Sequence, residues 1–330
     1  MLSLPQMSKG PEFGGAPAIR MYDEPKDLEH FLLALYDGLY VLSFIPVLSF
    51  SGLKPTNHSY FEQRRAIDFP ILCGVLRLSI KYLVEHLRME CLKLLQHDWP
   101  MTLTGWDMRE NESVNRDGVY ESSVTRPHPI FIIKLAHELG SAGATLLPAA
   151  FYDLSRYNCS HIWTGCPATP QSAQGGTKHN MAPVLSRLSA TDLQTVMLGK
   201  EAAQSFIVRF LRRELEGREV AMLCERRTHD DERECRSAFD DLAHEMYRGI
   251  VGVTCGRDSD PLFMLNAATI MQCREANGGI GVYPASRACE QCRAEFAQVV
   301  SAARRSVWNQ LPRWFGLEDV LHGAESLKTR

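Results

Sequence analysis

The cysteine pair Cys289-x-x-Cys292 has the clearest chemical potential in this chain. It falls where a helix is predicted to begin. A thiol near a helix N-terminus gives up its proton more readily, which suits metal ligation or redox work. Cys273 lies sixteen residues upstream of Cys289, and Cys255 eighteen before that. Together the four could ligate a structural zinc ion tetrahedrally. The spacing lacks the second close pair of a CxxC…CxxC site, so the same residues also read as buried thiols.

Other polar residues suggest chemistry less well. His128 and His137-Glu138 invite an acid/base reading, but no Ser or Cys nucleophile motif lies near them in sequence. They read as surface or capping histidines. Gly278-Gly279-Ile280-Gly281 lacks the G-x-G-x-x-G spacing and a preceding strand, so it reads as a turn. Arg209, Arg212 and Arg213 share a helix with Glu214 and Glu216, the composition of a solvated face. The mixed-sign run CERRTHDDERECR (224–236) reads as a solvated loop or helix face rather than a site. Trp308, Trp314 and Phe315 either anchor a partner or close a terminal core, and the core is favoured. No catalytic constellation emerges, and the chain is expected to be non-enzymatic.

Composition sets the frame for these residues. The chain has 330 residues, 45% hydrophobic and 23% charged, enough for two or three domains and a sizeable core. A net charge of −3 gives no argument for nucleic acid or an anionic membrane. MLSLPQMSKG has no basic segment followed by an apolar one, so no signal peptide is read and the ten cysteines are expected to be reduced in the cytoplasm or nucleus. The apolar run 31–50 approaches the length of a membrane span, but Asp37-Gly38 and Pro46 interrupt it.

The elements follow from periodicity. AIRMY (18–22) alternates as a short strand, and a helix with Asp23 or Asp27 as its cap runs to Asp37-Gly38, burying Leu28, Phe31, Leu32 and Leu35. Residues 43–68 have no clear period and read as an insertion, a loop or a gene-model artefact. Two packed helices occupy 71–97, linked near Ser79–Tyr82. Ile71, Leu72, Val75, Leu76 and Ile80 form one apolar face; Leu83, Leu87, Cys91, Leu94 and Leu95 form the other. Further helices are predicted over 103–110, 130–139, 146–157, 192–215, 239–247 and 261–273. A last one starts near Cys289 and ends at Leu311-Pro312. The Gly-, Pro- and Ser-rich stretch 158–186 reads as a linker.

Several of these segments together resemble a BTB/POZ domain in the form found in basidiomycete fungal proteins. They are AIRMYDEPKDLEHFLLALYDG (18–38), ILCGVLRLSIKYLVEHLRMECLKLLQHDWP (71–100), HPIFIIKLAHELG (128–140), LLPAAFYDLSRY (146–157) and ACEQCRAEF…ARRSVWNQLPRWFGL (288–317). The resemblance implies a mainly α protein: a remnant α+β BTB/POZ-like module at 1–100, with an atypical insertion at about 43–68, then helical extensions at 101–157 and 187–330. Leu28, Phe31, Leu35, Leu76, Leu83, Leu87 and Cys91 would form the core and interaction surface of the module. The implied role is protein–protein association, as a homodimer or on a cullin-type ubiquitin-ligase scaffold. MLSLPQ resembles an internal run of the family, so the N-terminal half of the domain is expected to precede Met1, and 45–67 is expected to be retained intron sequence. The alternative reading is a zinc-stabilised regulatory or nucleic-acid-associated protein built on the C-terminal cysteines.

Overall fold

The computed structural model describes residues 12–13, 16–17, 21–37, 68–115, 120, 126–167, 185–225, 232–252, 260–273 and 287–328. All of the expected insertion at 43–68 except Asp68, the whole of 168–184, Gly278 to Gly281 and Cys255 lie outside these residues. The described chain is mainly helical. Its strands are two antiparallel pairs of two residues each: β1 (Glu12–Phe13) with β2 (Ala16–Pro17), and β3 (Cys166–Pro167) with β4 (Leu185–Ser186). The strand expected at 18–22 does not appear over Met21 and Tyr22, the two of its residues that are described. Among the described residues no helix is long and apolar enough to cross a membrane. The chain divides into two compact units, Met1–Leu94 and Leu95–Arg330.

In the first unit α1 (Pro25–Asp37) packs on α2 (Phe69–Lys81), and α3 (Glu85–Asp98) follows after a tight turn. Gly74 permits the close approach of α1, because a Cβ there would lie 2.4 Å from Asp27 Oδ1. Asp23 does not cap α1. Its carboxylate accepts from Lys81 Nζ at 2.6 Å and Tyr82 OH at 2.5 Å, tying the entry to α1 onto the end of α2. Leu72, Val75, Leu76, Leu87, Cys91 and Leu95 are buried as their spacing requires. Burial pushes the Cys91 thiol up to about 12, which makes it an inert core residue.

Two expectations for this unit need correction. Leu83 does not lie on a helix face; it is 87% exposed in the turn between α2 and α3, with φ +57°. The bonds Val84 N–H to Ser79 O and Leu83 N–H to Ile80 O are those of a Schellman motif, whose turn residue must be left-handed. The break therefore falls at Tyr82–Val84 rather than Ser79–Tyr82. In α1, Phe31 and Ala34 are buried, but Leu32 and Leu35 are exposed and Leu28 is only half-buried. At about 100° per residue, a side that buries Phe31 and Ala34 against α2 turns Leu32 and Leu35 away from it.

The second unit is built around α6 (Leu147–Ser155), which is buried over almost its whole length against α5 (Pro129–Leu139), α8 (Ala190–Glu214) and α11 (Glu290–Trp314). Around these lie α4 (Leu103–Glu112), α7 (Cys159–Thr164), α9 (Glu232–Gly252), α10 (Pro261–Cys273) and α12 (Glu318–Lys328). Helices from both sides of the 158–186 stretch thus share one core. That stretch also begins with α7 and carries β3 and β4, so it is only partly a linker. Lys200 is buried in α8 and donates to the Ser155 and Tyr157 carbonyls, neutralising the C-terminal end of α6. Pro312 lies inside α11 instead of ending it. Near a helix end a proline forfeits little of the ladder, and the last turn carries on to bury Trp314 and Phe315, as a terminal core closure would.

Candidate functional site

Four of the eight described thiols converge at one place. Cys224 lies in the loop after α8, and Cys235 in the first turn of α9. Cys289 is the N-cap of α11, and Cys292 lies in its first turn. Their four sulfurs all lie within 4.8 Å of one another, and all four residues are buried. Cys224 Sγ stands 3.7 Å from Cys289 Sγ and 3.9 Å from Cys235 Sγ. The free cysteines among the described residues include all four.

The backbone also aims donors at this cluster. Ala221 N–H donates to Cys292 Sγ at 3.3 Å, and Cys289 N–H to Cys235 Sγ at 3.3 Å. Burial raises the pKa of the Cys235 and Cys292 thiols. Burial acts on Cys289 in the same direction, but the N–H groups of Cys292 and Glu225 outweigh it and hold this thiol at about 7. One turn further along α9 and α11, Phe239 and Phe296 pack at 5.3 Å between ring centroids. The Arg218 guanidinium lies 5.2 Å from the centroid of each ring. The cluster is a buried group of four soft sulfur donors.

Of the four cysteines grouped by the sequence, the side chains of Cys289 and Cys292 are described, and the structure brings Cys224 and Cys235 beside them. Cys255 lies outside the described residues, and Cys273 ends α10 with its side chain undescribed. Cys224 and Cys235 bracket the charged run that reads as solvated, and both are buried. The missed signal was that these are the apolar ends of that run. Helix α9 begins seven residues before the predicted Phe239, which puts Cys235 on the helix rather than in a loop.

The histidines serve structure. His128 caps α5, its Nδ1 accepting from Ile130 N–H at 3.3 Å. His137 Nε2 lies 2.8 Å from Asp192 Oδ1, at the start of α8. Arg209, Arg212 and Arg213 are exposed on α8. A buried charge network joins α4, α6 and α10. Arg109 donates to Asp153 at 2.5 Å, Arg156 donates to both Glu110 oxygens at 3.0 and 3.1 Å, and Tyr152 OH donates to Asp260. Asp260 also accepts the Leu262 N–H at 2.8 Å, so it caps α10. The network ties the three helices together by charge, although Arg109 Nε and Nη1, Arg156 Nε and Asp260 Oδ2 make no hydrogen bond among the described residues.

Comparison with protein-family models, curated proteins and solved structures found no match for this chain.

Proposed function

We propose that this chain is a non-enzymatic protein–protein interaction protein of the BTB/POZ type, with its docking surface on the helices of the first unit. The observation that carries the reading is the apolar side of α1 turned away from α2. Leu32 is 42% exposed, Leu35 37% and Tyr36 80%. Spacings of three and four place them on one side of the helix. Single exposed apolar residues are ordinary, but a stripe along one helix marks a surface that another element covers. The order of elements, a helix ending in Leu-Tyr-Asp and then a Leu-rich helix pair, supports this reading. The partner is a second copy of the chain or a ligase scaffold of the cullin type.

Analytical ultracentrifugation of the full chain tests this, comparing wild type with the Leu32→Glu/Leu35→Glu double variant. The expected outcome is concentration-dependent association of the wild type, alone or with added cullin, that the variant loses while keeping its thermal unfolding midpoint. A wild type that stays monomeric and ignores cullin, or a variant that associates equally well, overturns the reading.

A further inference from the structure

We infer that Cys224, Cys235, Cys289 and Cys292 together bind one zinc ion, a structural site that clamps the α8–α9 loop and α9 to the start of α11. Tetrahedral zinc at ~2.3 Å from four thiolates sets neighbouring sulfurs about 3.8 Å apart. The separations of 3.7 and 3.9 Å at Cys224 match that spacing. They do not suit a disulfide, which needs its sulfurs at ~2.05 Å. All six sulfur pairs fall within 4.8 Å, so one ion can reach every sulfur at once. A multi-iron cluster would hold its thiolates further apart.

The surroundings favour an anionic, metal-bound cluster over four neutral thiols. A thiol sulfur is a weak acceptor, whereas a ligating thiolate attracts N–H donors. Two such donors are in place, from Ala221 and Cys289. Sulfur-only donors select zinc or iron over hard cations such as magnesium or calcium. Burial of all four ligands leaves no open coordination position for water or substrate, which makes the site structural rather than catalytic. Binding is balanced by protons: zinc enters as the dication, the four thiols become bound thiolates, and up to four protons are released to solvent. The binding free energy becomes folding free energy, because the unfolded chain holds these ligands far apart. The clamp is independent of the docking surface on α1, so the two proposals fail separately.

The test is metal analysis of the full chain, purified under reducing conditions without chelator. The expected result is one zinc per chain, with Cys224→Ser or Cys289→Ser cutting zinc content roughly tenfold or more. Cys159→Ser is the control; this exposed cysteine stands outside the cluster and its loss should leave the zinc in place. Removing zinc from the wild type should lower its unfolding midpoint, and cobalt added back should give the absorption bands of a tetrahedral tetrathiolate site. The cobalt spectrum keeps the test decisive even if the serine variants fail to fold. A metal-free protein with no tetrathiolate spectrum on cobalt addition overturns the inference. So does iron in place of zinc, or full zinc content in the folded Cys224→Ser protein.

Discussion

Gly199 in α8 lies directly against the ring of Phe315: a Cβ built on Gly199 would fall 1.9 Å from Phe315 Cε1. Phe315 cannot easily yield. It is 2% exposed and stacks on Phe151 of α6 with centroids 5.7 Å apart. Gly199→Ala should gain about 1 kcal/mol in helix propensity and lose more than that, ~1–3 kcal/mol, to overpacking. A net loss in denaturant midpoint is expected. An increase would show that the ring moves freely.

Leu83 holds the left-handed position of the Schellman turn with its side chain in solvent. An L-residue there carries a steric cost of ~1–2 kcal/mol that glycine avoids, partly offset by the greater chain entropy of glycine. Leu83→Gly should therefore stabilise the chain by up to about 1 kcal/mol. Urea unfolding followed by circular dichroism measures this, and a loss of stability would mean that Leu83 makes a contact its exposure denies.

The buried pair Arg109–Asp153 should dominate the acid response of the second unit. Burial alone would raise the Asp153 pKa, but Arg109 and Arg156 outweigh it and hold the carboxyl below its ordinary value. A depressed carboxylate contributes stability above its unfolded pKa of ~3.9 and loses it as pH falls through the folded value. Asp260 works in the opposite sense, because burial raises its pKa and its contribution declines as pH rises. Asp153→Asn should cost ~3–5 kcal/mol near neutrality, since it strands buried guanidinium charge. The gap from wild type should begin to narrow as pH falls below ~4, where Asp153 of the unfolded chain takes up its proton, and should go on narrowing as pH falls through the lower folded value. A gap that is the same at both pH values would remove the ionised pair from the explanation.

Site-resolved alkylation should separate the cysteines by burial. Cys159 is exposed, while the thiol of Cys91 is fully buried with its pKa pushed up to about 12. Iodoacetamide applied to the native chain near neutral pH should label Cys159 early and Cys91 only under unfolding conditions, as read by peptide mass spectrometry. Early labelling of Cys91 would mean that the α2–α3 pair opens readily.

Periodicity alone located most of the described helices. The pair at 71–97 and the helices at 130–139 and 261–273 match their predicted ranges closely, because long apolar repeats bounded by Pro or Gly admit few alternatives. Leu83 shows how that signal overreaches. It continues the four-residue step of Leu87 and Cys91, but backbone hydrogen bonds that close α2 take precedence over an apolar match. Pro312 by its type signals a stop, although the aromatic core beyond it favours one more turn. Leu32 and Leu35 share a helical stripe with Phe31, and only the position of α2 determines which part of that stripe is covered.

The cysteines divide the two kinds of information most clearly. The sequence by itself determined that Cys289 and Cys292 stand together at a helix start, since three residues of helix bring them to one side. Only the tertiary structure decided that Cys224 and Cys235 complete the group. Their approach depends on how α9 and the loop after α8 pack against α11, across 65 residues between Cys224 and Cys289. Chain spacing does not encode such a meeting, because it is made by the burial of Phe239 against Phe296 and of the helices that carry them.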